Sequence, residues 1–254
     1  MSNYSDPLFH LWELLIIGLT REIRRAIIMA FSNEWDEQYK NNHHMSIWPW
    51  SDLVSSIYRY ANPKNGYKRV LELGCGAGAN IPLFLSLNFD YYGIEGSQSI
   101  SKRVIDNYPQ LSKRIITSDF AKEHLSQFND IIDVVVDRAS ITHNDTLSIE
   151  RILRSIFLYL KPGGKFIGID WFSTNHGDFH RGISVDTYTK KDLPFDSQFS
   201  GVGQVHFSDK NHIIELFYNA GLTIERLEHK ERNIEIPMNQ CHFASWDIIA
   251  IKPI

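Results

Sequence analysis

The run Leu71-Glu72-Leu73-Gly74-Cys75-Gly76-Ala77-Gly78-Ala79-Asn80 constrains this chain more than any other: an apolar strand pattern ends in three alternating glycines and passes straight into a helical pattern. Glycine tolerates a positive φ and lets main chain approach a ligand closely, while the N–H groups at the start of the next helix are ready to meet polar groups. Taken alone, such a loop also reads as a bare strand-to-helix turn. Its meaning comes from a second element 21 positions after Gly74, where Asp90-Tyr91-Tyr92-Gly93-Ile94-Glu95 reads as a strand ending in an acid. A carboxylate at that strand tip can accept both hydroxyls of a ribose, so the pair predicts a nucleoside-containing ligand.

The pattern continues through the chain. Arg69–Leu73, Asp90–Glu95, Arg114–Ser118, Ile131–Asp137 and Lys165–Phe172 read as strands, and Ala79–Leu87, Gln98–Tyr108, Ala121–Phe128 and Thr146–Leu160 as helices between them. Strands that alternate with helices predict a parallel sheet covered on both faces, and Val134-Val135-Val136 supports this because a doubly buried strand is apolar without alternation. After a helix at Asp209–Asn219, the runs Leu222–Glu228 and Ala244–Lys252 follow without a helix between them and should pair antiparallel at the sheet edge. The expected fold is α/β: a doubly wound, Rossmann-like, seven-stranded sheet, mostly parallel with an antiparallel C-terminal edge strand. Residues 1–62 read as an N-terminal helical extension covering the site and 63–254 as the main domain. Between Ser173 and Phe207 lies an insertion too long for an ordinary connection, and substrate contacts are expected there.

Composition narrows the partners. The 254 residues are 43% hydrophobic and 22% charged with a net charge of −4, so a soluble globular protein is expected and no global positive field argues for a nucleic-acid partner. Two cysteines, Cys75 and Cys241, make no disulfide framework and fit a reducing, cytoplasmic location. The apolar stretch Leu8–Leu19 is followed by Arg21, Arg24 and Arg25, the wrong order for a secretory signal, and is too short to span a bilayer. It reads as a helix packed on its own domain or on a homodimer partner, with peripheral membrane contact as the alternative.

Nicotinamide dinucleotide and S-adenosyl-L-methionine share the geometry of loop plus strand-tip acid. The dinucleotide fingerprint asks for G-x-G-x-x-G, whereas this chain has G-x-G-x-G with Glu72 two residues ahead. Glu72-x-Gly74-x-Gly76-x-Gly78 resembles motif I of the class I S-adenosylmethionine-dependent methyltransferases. Glu95-Gly96-Ser97 looks like that family's ribose-binding acid, and Ser118-Asp119-Phe120 like its adenine-contacting acid and neighbour. Asp137-Arg138-Ala139-Ser140 occupies the place of motif IV, and Leu160-Lys161-Pro162-Gly163-Gly164 is a common family turn. The resemblance implies cofactor contacts from Glu72, Gly74, Cys75, Gly76, Gly78, Glu95, Gly96, Ser97, Asp119, Phe120, Asp137 and Arg138. Asp119 reads equally as a helix cap, and Cys75 as a packing residue. In the extension, the aromatics of Ser32–Tyr39 and His43–Trp50, Trp48 among them, can close over the cofactor or clamp the extension to the core.

Methyl transfer is a displacement at a carbon activated by positive sulfur, so a base is needed only where the nucleophile carries a proton, and no metal is expected. His143, just beyond Asp137-Arg138-Ala139-Ser140, is the candidate base, with Asp137 to orient it or the substrate; His206 is a second candidate. The extension and the run Gly201–Lys210 look like a subgroup of small methyltransferases of bacterial surface-polysaccharide (capsule or O-antigen) synthesis. That likeness implies a small-molecule acceptor, O-methylation of a glycan building block such as a sugar nucleotide or a phosphate- or phosphoramidate-bearing precursor, with Arg181, Lys190 and Lys191 as partners for an anion. A nicotinamide-dependent oxidoreductase and a non-catalytic nucleoside-binding protein are the competing readings.

Overall fold

The computed structural model describes Trp35, Tyr39, residues 46–236 and residues 242–254. The helix expected over Leu8–Ile27, the His43-His44 pair and Cys241 lie outside the described residues. Helix α1 (Ser51–Tyr60) leads into β1 (Arg69–Leu73), α2 (Ile81–Ser86), β2 (Asp90–Glu95), α3 (Gln98–Asn107), β3 (Ile115–Thr117) and β4 (Ile132–Arg138). Then come α4 (Thr146–Tyr159), β5 (Leu160–Phe172), the short strands β6 (Ile183–Ser184), β7 (Thr189–Lys191) and β8 (Val205–His206), α5 (Lys210–Asn219), β9 (Thr223–Arg232) and β10 (Phe243–Ile251). Seven strands form one sheet in the order β3-β2-β1-β4-β5-β10-β9, all parallel except β10, which runs antiparallel between β5 and β9.

The sheet is buried on both faces. Val135, Phe166 and Ile248 face α4 and α5, whereas Val134, Val136 and Ile167 face α1, α2 and α3. Helices α3, α4 and α5 start where the sequence supplies an acceptor for the first free N–H groups: Ser97, Asp145 and Asp209. In α4 the buried residues Ile149, Ile152, Leu153 and Ile156 recur at helical spacing.

One expected helix does not form. Ala121–Phe128 is a turn followed by a 3-10 helix at Ser126–Phe128, because the Leu125 N–H donates to the Tyr159 hydroxyl at 2.9 Å instead of closing a helical turn. The insertion, in turn, is a built unit. Strands β6, β7 and β8 form a small antiparallel sheet over an apolar cluster of Phe172, Leu193, Phe199, Val202, Val205 and Phe207.

Helix α1 is held at the carboxyl end of the sheet by a charged network. Lys230 of β9 reaches Asp52 of α1 at 2.9 Å, Asp170 of β5 at 3.1 Å and Asp247 of β10 at 2.8 Å. Arg138 pairs with Asp170 at 2.9 Å and lies 3.5 Å from the ring centre of Trp50, at the helix start. Removing Lys230 takes away the cation paired with Asp247 and leaves Asp170 with Arg138 alone. Lys230→Ala is expected to lower unfolding stability by about 2–3 kcal/mol, less than for a fully buried pair because 28% of the lysine side chain is exposed. Urea denaturation with Lys230→Arg as the charge-preserving control checks this.

Candidate active site

The glycine loop crosses the carboxyl ends of β1, β2 and β4. Gly74 takes φ +64°, and a Cβ there would stand 2.4 Å from the Cβ of Ser140, so the loop passes the turn after β4 only because this residue has no side chain. Ser140 fastens the crossing by donating its hydroxyl to the Leu73 carbonyl at 2.7 Å, and the same oxygen touches the Asp137 carboxylate. At Gly76 a Cβ would meet only the Tyr39 hydroxyl, at 3.4 Å.

Three carboxylates stand around this loop, all nearly inaccessible: Glu72 and Glu95 at 2% exposure and Asp137 at 1%. Glu95 accepts the Gly76 N–H at 2.8 Å and the Ser97 N–H at 2.9 Å. Glu72 accepts from the Tyr91 hydroxyl at 2.6 Å and the Asn80 amide at 2.7 Å. Burial pushes the Glu72 carboxyl up to about 7, partly relieved by those two donors and sharpened by Asp137 and Glu95 nearby. Asp137 is pushed up to about 6, again by burial, against donors from Ser140, Ile141 and Arg138's charge. Burial also raises the Cys75 thiol, which removes it as a nucleophile.

The remaining expected cofactor contacts divide. Ser97 caps α3, and Phe120 comes within 3.9 Å of where a Gly74 side chain would begin. Asp119 caps the turn through the Ala121 N–H at 3.0 Å and pairs with Lys122. Gly96 and Gly78 hold their expected places at the β2 tip and the loop end. Two residues go elsewhere. Arg138 turns toward α1 and the Asp170 carboxylate, and Trp48 stays 72% exposed; the aromatics of the extension that do reach the site are Trp35 and Tyr39.

His143 stands at the carboxyl end of β4, in the 3-10 turn Ile141–His143. Its Nδ1 meets the Gln204 carbonyl at 3.1 Å; a carbonyl only accepts, so Nδ1 carries a proton, and Nε2 is the nitrogen left for proton exchange. Edge contacts from Trp35 at 4.9 Å, Phe172 at 6.0 Å and Phe199 at 6.4 Å frame the ring. The orienting role expected of Asp137 therefore falls to Gln204, since the Asp137 carboxylate is committed to the Ser140 and Ile141 N–H groups. Gln204 carried no sequence signal, because a main-chain carbonyl acts whatever the side chain is.

His206 is placed as a structural residue. It is fully buried, and its hydrogen bonds run in one direction: Trp171 Nε1–H donates to Ser208 Oγ, Ser208 to His206 Nε2, His206 Nδ1–H to Thr189, and Thr189 to Asp186. Burial holds His206 down at about 3. His176 sits among Phe172, Phe199, Phe207 and Phe243 and is held at about 4, also by burial. Among the anion partners expected of the insertion, Arg181 is engaged with Asp178 and Asp196, and Lys190 with Ser184. Among the described residues no cluster of His, Cys, Asp and Glu is arranged to hold a metal ion, and no helix is long and apolar enough to cross a membrane.

A methyltransferase-domain family model matches residues 42–227, and the chain belongs to that family. No curated protein sequence matches it. Among solved structures it is similar to an S-adenosylmethionine-dependent methyltransferase from Methanosarcina mazei, with 16% identity and a TM-score of 0.61 over 82% of this chain and 99% of that one. A phosphoethanolamine N-methyltransferase from Haemonchus contortus, solved with phosphomonomethylethanolamine and S-adenosylhomocysteine, has 16% identity and a TM-score of 0.61 over 89% of this chain and 61% of that one. A 1,6-didemethyltoxoflavin-N1-methyltransferase from Burkholderia thailandensis has 12% identity and a TM-score of 0.55 over 100% and 93%. The family decides against the oxidoreductase and the non-catalytic readings, and its cofactor is S-adenosylmethionine. The residues fit that group. Gly76 takes φ +51° with the Tyr39 hydroxyl facing it, so main chain and an aromatic hydroxyl border the site, and the three buried carboxylates offer the negative potential that a sulfonium and an ammonium require.

Two depressed histidines make stability pH-dependent. The unfolded chain binds protons at each near the ordinary value of about 6.5 while the fold keeps both neutral, so stability falls as pH drops from 7 toward 4. The slope reaches about 1.4 kcal/mol per group per pH unit. Urea midpoints measured between pH 7 and 5 are expected to fall less steeply in His206→Gln than in the unsubstituted protein.

Proposed function

We propose that this methyltransferase acts on a small-molecule acceptor carrying a proton on its nucleophilic atom, with His143 as the base. The observation that carries the reading is the His143–Gln204 pairing: an imidazole whose Nδ1 is fixed on a main-chain carbonyl, framed by aromatic rings at the carboxyl end of β4. When bound, S-adenosylmethionine supplies an electrophilic methyl group. Glu95, oriented by the Gly76 and Ser97 N–H groups, would hold the nucleoside end, and Glu72 shapes the loop from beneath. His143 Nε2 takes the acceptor's proton as its oxygen or nitrogen attacks.

A glycan building block is the acceptor class we put first, as O-methylation. Trp35, Phe179 and Phe243 line the apolar cluster of the insertion, and such faces suit the flat side of a sugar ring. Two of the three cations expected to meet a phosphate, Arg181 and Lys190, are engaged within the insertion, so ring stacking rather than an anion clamp supports this choice. Residues 1–62 are read as the cover of this site and 63–254 as the catalytic domain, acting in the cytoplasm and with a homodimer or peripheral membrane contact through the extension as further expectations.

Calorimetric titration with S-adenosylhomocysteine tests the cofactor site: Glu95→Ala is expected to weaken binding by about 10-fold or more, the scale of hydrogen bonds to a charged group. An acceptor screen reading S-adenosylhomocysteine release compares sugar nucleotides, sugar phosphates, planar heterocycles and small amines. Turnover confined to the amines would overturn the glycan reading. With a productive acceptor, His143→Ala is expected to lower kcat about 10²–10⁴-fold with little change in the KM for S-adenosylmethionine. Unchanged kcat would remove His143 as the base.

A further inference from the structure

The turn that carries His143 is gripped from both sides by one circuit of hydrogen bonds. On one side, the His143 Nδ1–H donates to the Gln204 carbonyl at 3.1 Å, and Gln204 immediately precedes β8. On the other, the Thr146 N–H, three residues beyond His143, donates to the Asp186 carboxylate at 3.0 Å. Thr189 and His206 close the circuit. They are cross-strand partners in the β7–β8 register, and Thr189 Oγ1 stands 2.9 Å from His206 Nδ1 and 3.0 Å from the Asp186 oxygen that Thr146 reaches. The direction of each bond is forced. Asp186 also accepts the Tyr188 and Thr189 N–H groups, both at 2.8 Å, so every one of these donors points at it. Thr189 has a single hydroxyl hydrogen, which goes to that carboxylate, and its oxygen therefore accepts from the His206 Nδ1–H.

Resting on the assignment of His143 as the base, we propose that His206, with Thr189, is a positioning residue for methyl transfer: the circuit holds the Gln204 carbonyl on the His143 Nδ1–H and so presents Nε2 to the acceptor. The aim of that carbonyl is set from β8. Upstream, Gly203 takes φ +78°, and a glycine leaves the orientation of the following peptide weakly determined. Downstream, Val205 and His206 are wholly buried, and His206 is anchored at both ring nitrogens. Its Nε2 stands 3.0 Å from Ser208 Oγ, which accepts the Trp171 Nε1–H at 3.0 Å, so the position of the base is referred to β5 in the central sheet. An imidazole without such a partner offers either nitrogen in either tautomer, whereas one held at Nδ1 offers Nε2 in every turnover. His206 touches no reacting atom in this scheme and acts through the carbonyl alone.

The test is nitrogen-15 NMR of the full chain labelled at its 11 histidines, with the His143 signals identified by their loss in His143→Gln. At about pH 8, above the ordinary imidazole value, His143 is expected to carry its hydrogen on Nδ1. Thr189→Val keeps the branched shape at a fully buried position and removes the hydroxyl. It is expected to move His143 toward the opposite tautomer and, with a productive acceptor, to lower kcat about 10-fold, the scale of one hydrogen bond, at unchanged KM for S-adenosylmethionine. His206→Phe is expected to give the same two changes, and Thr189→Ser, which keeps the hydroxyl, to give neither. A merely structural role would lower the stability of the valine variant without moving the tautomer. Unmoved His143 signals in both Thr189→Val and His206→Phe overturn the proposal and leave the base assignment standing. Moved signals with unchanged kcat overturn the base assignment, and the proposal with it. Should both variants fail to fold, the unsubstituted protein decides: a His143 Nδ1 without hydrogen at that pH overturns the proposal, and one that carries it supports it.

Discussion

The site depends on one close crossing, that of the glycine loop with the turn after β4. Ser140 occupies the volume a side chain at Gly74 would need, and its hydroxyl ties the Leu73 carbonyl to the same turn that Asp137 caps. The consequence is geometric. The loop that holds the nucleoside end and the turn that carries His143 become one rigid body, so the donor side and the acceptor side cannot drift apart. Displacement chemistry at a methyl carbon is sensitive to such distances, because alignment of nucleophile, carbon and leaving sulfur supplies much of its rate. A small residue on one strand tip and a hydroxyl on the next therefore do catalytic service without touching a reacting atom.

The insertion is tied to this body by a second device. The chain of hydrogen bonds from Trp171 through Ser208, His206 and Thr189 to Asp186 links β5 of the main sheet to β7 and β8, and Asp186 also accepts the Thr146 N–H at the start of α4. Every donor in that chain has one acceptor, which fixes the His206 tautomer and leaves no spare proton to shuttle. The apolar cluster around Phe172 and Phe199 rests on this frame. Gln204 is two residues before His206, so the carbonyl that sets the His143 tautomer inherits its position from the buried chain. A histidine that sequence reasoning offers as a base instead supports the position of the other candidate, His143.

What could be read from the sequence follows from where the physics is local. Strand ends at Leu73 and Glu95, and the cap at Asp119, were legible because apolar runs and capping residues act over a few positions. The three-glycine loop was legible because backbone constraint leaves a mark in residue type. Ala121–Phe128 was misread because its helical pattern competes with a hydroxyl 34 residues away, on Tyr159. Asp137 and Arg138 looked alike as strand-tip polar residues; the strand alternation sends one to the loop and the other to the network under Trp50. Tyr91 is the instructive omission. Its partner in the β1–β2 register is Val70, which puts its side chain on the same face as that of Glu72, so two-residue periodicity alone could have paired them.

Charge gives the last link between fold and chemistry. The chain as a whole carries only −4, yet three carboxylates are buried around one loop, and among the described residues Lys230 and Arg138 are bound into the network of Asp52, Asp170 and Asp247. That separation matters because a buried acid without a counter-ion is unstable as an anion and becomes comfortable only beside a positive ligand. On the acceptor side, the faces of Trp35 and Tyr39 suit positive sulfur by their ring quadrupoles, a neutral source of the same preference. Both attractions act on a charge that the reaction itself removes. Buried acids and aromatic faces thus suit a positively charged donor better than the product that has lost that charge.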